Sequence, residues 1–274
     1  MNKSYIGDNL EFMKTLDSNS VDLIYSDILY ATGIDFKDYQ DLKINTNKLI
    51  NNIIPQNIYD FYYPRIIEMY RILKSTGSIY FQMDTRINHW IRCIMDDIFG
   101  YDNFLNEISW CYTSPSAKSK KFQKKHDVIL YYSKTNNYTF NEQRIPLKRK
   151  FDINGMFGKL SKEECDELYS KGKRIEDYWL IGTIAIYNTE IVGYATQKPL
   201  ALMNRIIKSS SNKGDTIADF FCGSGSFIVK GVELDRNCIY CDINPKSIRI
   251  TDKRINNLCK LQPIKSRNKY FKFK

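Results

Sequence analysis

Asp219-Phe220-Phe221-Cys222-Gly223-Ser224-Gly225-Ser226 stands between a short β-rich run, Thr216-Ile217-Ala218-Asp219, and a helix expected from about Ser226. Two glycines at such a junction let the backbone turn tightly and approach a ligand closely. The helix start supplies unpaired N–H groups for an anionic ligand end. A bare G-x-G also occurs in plain tight turns, so its weight comes from the strand before it. The third glycine of the dinucleotide fingerprint would fall at Ile228, which disfavours NAD or FAD. The next apolar run, at 238–242, ends on Asp242, about 20 residues downstream as that fingerprint logic requires. In a doubly wound sheet an acid there hydrogen-bonds ribose hydroxyls; the alternative is a solvated strand-end carboxylate. A further helix is expected from Pro245.

A nucleotide-binding unit normally begins its sheet. Here it comes late, so the remaining strands must lie upstream and the order is permuted. Val21-Asp22-Leu23-Ile24-Tyr25-Ser26, Gly77-Ser78-Ile79-Tyr80-Phe81-Gln82 and Asp127-Val128-Ile129-Leu130-Tyr131-Tyr132 read as those strands. Apolar spacing predicts helices over 58–73 and 87–99, the second closed by Gly100, and Pro199 opens another. Alternating strands and helices predict an α/β fold with a mainly parallel sheet covered by helices on both faces. Residues 135–192 break the pattern. They are polar and loop-like, with one helix opened by the capping-box spacing Ser161-x-x-Glu164, and read as an insertion.

The first half carries Asp27-Ile28-Leu29-Tyr30-Ala31-Thr32-Gly33 directly after the strand at 21–26. Ligands in such sheets bind at the carboxyl ends of strands. A carboxylate three residues before an aromatic can accept a hydrogen bond from an amino group while the ring stacks on a planar base. Asp and Tyr also open ordinary loops. The 41 Lys and Arg outnumber the 31 Asp and Glu, a net +10 that favours a polyanionic partner, most simply nucleic acid, unless AT-rich coding accounts for it. Lys118, Lys120, Lys121, Lys124 and Lys125 surround Phe122 in a run suited to phosphate, or to plain solvation. Seven cysteines without framework spacing read as reduced thiols. Cys238 and Cys241 sit in a strand-like run and face opposite sides, and the two histidines, His89 and His126, complete no zinc set. No metal is expected. The chain lacks a membrane-length apolar stretch and starts without a signal-peptide run, so a soluble cytoplasmic protein is expected.

Taken in order, these segments resemble the permuted, beta-order DNA amino-methyltransferases, above all the adenine-specific members that include modification subunits of restriction systems. The resemblance covers nearly the whole chain. Tyr5-Ile6-Gly7-Asp8-Asn9-Leu10 is similar to the family's opening segment, and Val21 through Gly33 to its strand followed by D-P-P-Y-x-T-G. Leu73 through Tyr80 and His126 through Lys134 resemble later strands with their lead-ins. Gly193-Tyr194-Ala195-Thr196-Gln197-Lys198-Pro199 resembles G-Y-x-T-Q-K-P, Asp219 through Ser226 resembles D-P-F-C-G-S-G-T, and Cys241-Asp242-Ile243-Asn244-Pro245 the ribose-binding segment.

The resemblance implies a Rossmann-like S-adenosylmethionine-dependent methyltransferase fold, circularly permuted. Residues 1–134 would be its catalytic half, 135–192 a target-recognition insertion, 193–262 the cofactor-binding half and 263–274 a basic tail. It implies methyl transfer to the N6 amino group of adenine flipped out of double-stranded DNA. The alternatives are N4-cytosine methylation and a catalytically weakened DNA-binding subunit of a methyltransferase complex. Catalysis would rest on Asp27, Ile28, Leu29 and Tyr30: the Asp27 carboxylate and the Ile28 carbonyl accept from the target amino group, and Tyr30 stacks on the base. Both prolines of the motif are missing, and Ala31, Phe220 and Ser226 are milder departures. The cofactor would be held by Asp8, by Thr196 and Lys198 at its methionine end, by Asp219, Phe220, Phe221, Cys222, Gly223, Ser224, Gly225 and Ser226, and by Asp242 and Asn244. DNA contacts are expected from the lysine run and from Arg149 and Lys150, which with Arg144 and Lys148 flank the insertion. A homodimer and a restriction or methyltransferase partner subunit are both left open.

Overall fold

The computed structural model describes residues 2–113, 118, 120–146, 161–184 and 189–261. Its first half runs β1 (Lys3–Ile6), α1 (Asn9–Lys14), β2 (Val21–Asp27), the small pair β3 (Leu49–Ile50) and β4 (Ile54–Pro55), α2 (Gln56–Ile72), β5 (Leu73–Met83), α3 (Asn88–Phe99), β6 (Phe104–Cys111) and β7 (His126–Ser133). Then follow β8 (Arg144–Ile145), α4 (Lys162–Lys171), β9 (Lys173–Arg174) and β10 (Tyr178–Leu180). The last part is α5 (Leu200–Ser210), β11 (Thr216–Asp219), α6 (Ser226–Glu233), β12 (Asn237–Asp242) and α7 (Pro245–Leu261).

Eight strands form one sheet in the order β1-β12-β11-β2-β5-β7-β6-β10. Five of its seven neighbouring pairs are parallel, and β7 alone runs against its two neighbours. Alternate side chains of each strand face opposite sides. In β5, Ile79, Phe81 and Met83 pack with α1, α2 and α3, while Tyr80 packs on the face covered by α5, α6 and α7. Both faces are therefore buried under helices, as a parallel sheet requires. Cys238 and Cys241 divide between these two cores, as their strand spacing predicts.

The permutation is visible in the sheet. The N-terminal strand β1 pairs in parallel with β12, Lys3 opposite Ile239. The two halves also meet where β2 pairs with β11, Leu23 opposite Ile217. From β11 the chain proceeds outward to β12 on one side; from β2 it proceeds to β5 on the other. That reversal is a topological switch point, and the carboxyl ends of its two strands are Asp27 and Asp219.

Three strands of this sheet are absent from the sequence reading. In β6, Asn106 and Glu107 are exposed and interrupt the apolar period. β10 has only three residues, inside the polar stretch, yet it pairs with β6 and buries Trp179. β1 is exposed along its length, so no burial pattern marks it. The Ser161 capping box does form: Glu164 N donates to Ser161 Oγ at 3.1 Å, and Ser161 N to Glu164 Oε2 at 2.7 Å. Residues 147–160 and 262–274, with Lys148, Arg149, Lys150 and the basic tail, lie outside the described residues. Among the described residues no helix is long and apolar enough to cross a membrane.

Gly225 starts α6 in a left-handed conformation, φ +74°. A Cβ there would lie 2.1 Å from Thr251 Oγ1 and 2.8 Å from Thr251 Cβ, so this glycine is required by the packing of α6 on α7. Gly225→Ala combines the left-handed penalty with overpacking, and should lower stability by about 2–4 kcal/mol. A urea midpoint equal to that of the parent would refute this account.

Candidate active site

The two switch-point strands open onto one cavity of about 570 Å³. Its wall draws on both halves of the chain: Asp8, Asp27, Tyr30 and Phe61 from the first, Thr196, Lys198, Phe221, Gly223, Asp242 and Asn244 from the second. That volume lies within the usual range of small-ligand sites.

At the end of β2, Asp27 is held by two donors. The Tyr30 hydroxyl donates to Oδ1 at 2.8 Å, and the Lys198 ammonium pairs with Oδ2. Burial pushes the Asp27 carboxyl above the usual carboxylate range, while Lys198 and Tyr30 oppose that rise. The Tyr30 hydroxyl oxygen also lies 3.0 Å from Asp127 Oδ2. Gln82 Nε2 donates to that same Asp127 oxygen at 3.0 Å, and Tyr112 donates to Asp127 Oδ1 at 3.2 Å. Tyr25 donates to Gln82 Oε1 at 2.7 Å, which fixes the orientation of the amide. Asp27 and Gln82 are register partners, so the network follows from strand pairing. The sequence reading places Tyr25, Gln82 and Asp127 only as strand residues, and it gives none of these three, nor Tyr112, a part in the site. The one available signal is a polar residue at the end of an apolar strand on the cavity edge of the sheet.

The segment without prolines is held by hydrogen bonds instead. Ile28 N donates to Gln82 O at 3.2 Å, extending the β2–β5 ladder by one residue, and the Ile28 side chain is buried in the core. Tyr62 donates to Leu29 O at 2.7 Å. Ala31 has a positive φ, and Asp41 pins it: the Asp41 carboxylate accepts from Ala31 N, Thr32 N and Thr32 Oγ1 at 3.0, 2.8 and 2.5 Å.

On the other side of the cavity the Gly loop divides its labour. Gly223 is left-handed and borders the cavity, where an added Cβ would meet Tyr194 Cε1 at 3.5 Å in ordinary contact. Gly223 N donates to Asp242 Oδ2 and Asn244 N to Asp242 Oδ1, both at 2.8 Å. A carboxylate has about four acceptor positions, so Asp242 keeps capacity for ligand hydroxyls. Burial raises its carboxyl, and the two amides oppose the rise. Asp219, which accepts from Phe221 N at 3.0 Å, is pushed up further by its burial. Phe220 is buried, and Cys222 turns its sulfur toward Thr251. Ser224 and Ser226 join hydroxyls at 3.2 Å, beside Asp219 and Lys198 in a small hollow under the loop. Gly225 touches neither space. The loop residues brought to the large cavity are thus Phe220, Phe221 and Gly223.

Asp8 caps α1 through Leu10 N at 2.8 Å and pairs with Arg65 at 2.5 Å. Arg65 also donates to Asn9 Oδ1 at 2.7 Å, and Asn9 donates to Phe220 O at 2.9 Å, tying Asp8 to the Gly loop. Arg65 was not foreseen; its signal is a cation on the otherwise apolar face of α2. Asn244 donates to Asp38 O at 2.6 Å, and Asp38 accepts from Lys246 Nζ at 2.5 Å and Ala195 N at 2.9 Å. Lys246 holds the Asp38 carboxyl below its usual range. The segment around Asp38 therefore straps both halves together over the cavity. Thr196 is exposed on the rim with φ +60°.

Acids at two walls, a glycine backbone between them and aromatic Phe61 and Phe221 suit a nucleoside with a charged chain, and S-adenosylmethionine fits that description. Lys118, Lys120, Lys121 and Lys124 are exposed on the β6–β7 loop, which starts at Tyr112 and ends next to Asp127; Lys125 is half-buried.

Residues 21–253 match the N6/N4 methyltransferase family, described as DNA methylase. The type II methyltransferase M.HpaI of Haemophilus parainfluenzae is 30% identical over 251 residues, covering 90% of this chain and 72% of that protein. The DNA adenine methyltransferase YhdJ of Escherichia coli (strain K12) is 29% identical over 252 residues, covering 91% and 81%. In fold, the chain is similar to the cytosine-N4-specific PvuII DNA methyltransferase, with a TM-score of 0.64, 16% identity and coverage of 97% and 88%. It is also similar to the M1.HpyAVI–SAM complex, with a TM-score of 0.60, 18% identity and coverage of 93% and 100%.

Because the Ile28 amide is already spent on Gln82, a proline there removes a ladder bond. Ile28→Pro should lower stability by about 0.5–1.5 kcal/mol, even though it restores the first of the motif's two prolines. An unchanged or raised denaturation midpoint would show that the ladder ends at Asp27.

Proposed function

The chain belongs to the N6/N4 DNA methylase family, and we propose that it transfers a methyl group from S-adenosylmethionine to the N6 amino group of adenine in double-stranded DNA. The observation that carries this reading is Asp27. A half-buried carboxylate stands at the switch point, three residues before an aromatic, on a cavity whose far wall is the Gly loop and Asp242.

When bound, S-adenosylmethionine supplies an electrophilic methyl group on sulfur. Asp8 and Asp242 hold hydroxyl and amino edges of the nucleoside, and the Gly223 backbone lets it approach. A target base inside a duplex must leave the stack to reach this depth. Tyr30, fixed at its hydroxyl by Asp27 and Asp127, offers its ring to the flipped base. Asp27 and the Ile28 carbonyl accept from the amino group, which concentrates electron density on nitrogen and orients its lone pair. Methylation at an amino group needs no thiolate. Consistently, burial drives the thiol of Cys222, the cysteine of the Gly loop, well above its usual range.

Adenine is favoured because this family's cytosine members often carry Ser where Asp27 stands, and the relative YhdJ is an adenine methyltransferase. Radiolabelled methyl transfer to unmethylated DNA, followed by nucleoside analysis, tests this: N6-methyladenine is expected, and N4-methylcytosine would overturn the choice of base. Asp27→Ala should abolish transfer while remaining folded. Full activity in that variant removes Asp27 from the chemistry.

The lysine loop is the proposed phosphate surface. Neutralising Lys118, Lys120 and Lys121 together should lower the slope of log affinity against log salt by about 0.9 for each DNA phosphate that a lysine had neutralised. A slope equal to that of the parent would place the DNA elsewhere.

A further inference from the structure

Lys198, which the family resemblance places at the cofactor's methionine end, is paired in this structure with the catalytic carboxylate instead. It precedes Pro199, which opens α5, and it is 9% exposed. Its ammonium pairs with Asp27 and donates to Thr196 O at 3.2 Å. It also lies 5.6 Å from the centre of the Tyr30 ring. The side chain borders both the large cavity and the small hollow under the Gly loop, where Gly223, Ser224 and Asp219 are its neighbours. Lys198 thus reaches from the catalytic carboxylate of one half to the cofactor loop of the other.

This position conflicts with a fixed role. A carboxylate engaged by a desolvated ammonium and a phenol is a weakened acceptor for a third, neutral N–H donor. Asp27 has to be a strong acceptor for the target amino group. Lys198 borders the hollow beside Ser224 and Ser226, and the cofactor of the reading above ends in an amino acid that brings a carboxylate of its own. One ammonium then faces two competing anions.

We propose that Lys198 is a positioning residue that exchanges Asp27 for the carboxylate of the bound cofactor, so that the acceptor for the target base is released only once the methyl donor is in place. The inference rests on the reading of Asp27 and of the cofactor given above. It makes the two sites energetically coupled, and coupling of this kind is reciprocal. Whatever holds Lys198 on Asp27 weakens the cofactor, and whatever draws Lys198 away favours base capture. An enzyme built this way does not present its most reactive acceptor to DNA before it can use it.

The test is calorimetry on the full chain with two probes. S-adenosylhomocysteine carries the amino-acid carboxylate but no sulfonium charge, so it reports the competition for Lys198 alone. 5′-Methylthioadenosine keeps the nucleoside and lacks the carboxylate. Asp27→Asn, an isosteric change, should tighten S-adenosylhomocysteine by about fivefold or more, the lower end of typical coupling, and leave methylthioadenosine unchanged. Lys198→Met should weaken S-adenosylhomocysteine, and adding Asp27→Asn to it should bring no gain. Parental affinity in Asp27→Asn, or an equal gain for both probes, overturns the exchange. If Lys198→Met does not fold, the two probes on Asp27→Asn still decide. Methyl transfer is read separately in Asp27→Ala, which removes the acceptor altogether: full activity there would sink the catalytic assignment and leave the binding result standing.

Discussion

The backbone pairing of β2 with β11, Leu23 against Ile217 and Ile24 against Ala218, joins the two halves of this chain into one sheet. These strands lie far apart in sequence, and each carries its acid at the carboxyl end. Their parallel register brings Asp27 and Asp219 to the same edge, and the cavity opens there because the strands on either side diverge. Without that pairing, the Gly loop would face no acceptor and the Tyr30 network would have no cofactor wall opposite it. The halves also meet in the β1–β12 pair and in both apolar cores, and polar contacts close the cavity rim. Asp38 against Ala195, Lys246 and Asn244, and Arg65 between Asp8 and Asn9, fasten a geometry already set by the sheet.

Burial governs the chemistry of this edge. Asp27, Asp219 and Asp242 are all raised by loss of water, and each is countered by its own donors: Lys198 and Tyr30, the Phe221 amide, and the Asn244 and Gly223 amides. Those donors favour the charged carboxylate against burial, while each of them also occupies part of its acceptor capacity. Tyr30 adds a further constraint. It has one hydroxyl proton and two carboxylates within 3.0 Å, so Gln82 and Tyr112 are needed to satisfy Asp127. The stacking residue is thereby held at its tip while its ring remains on the cavity.

What could be read from the sequence was local. The Gly loop, the acid ending the next strand, the Asp27–Tyr30 segment and their permuted order are all short-range patterns, and they placed the fold and the principal wall residues. What could not be read came from distance. Arg65 resembles any helix cation until its 2.5 Å contact with Asp8 is seen, and Asp127 resembles a strand cap. β6 and β10 were missed because exposed Asn106 and Glu107 interrupt the first and the second has three residues. Within the loop, residues of one motif proved to have different duties. Gly223 faces the cavity, whereas Gly225 is small because Thr251 leaves no room for a side chain. Motif spacing cannot separate those two reasons for a glycine.

The edge strand β1 carries a consequence for how the molecule is made. Its sheet partner, β12, lies more than two hundred residues downstream, with Lys3 waiting for Ile239. β2 likewise waits for β11. During synthesis the first half leaves the ribosome with an open sheet edge and the apolar side chains of Leu23 and Tyr25 uncovered, since their covering helices, α5 and α6, are made much later. Contacts of such long range are slow to form, and unpaired edges are sticky while they wait. Placing the cofactor half last therefore lengthens the interval in which the nascent chain carries unpaired edges and uncovered apolar side chains.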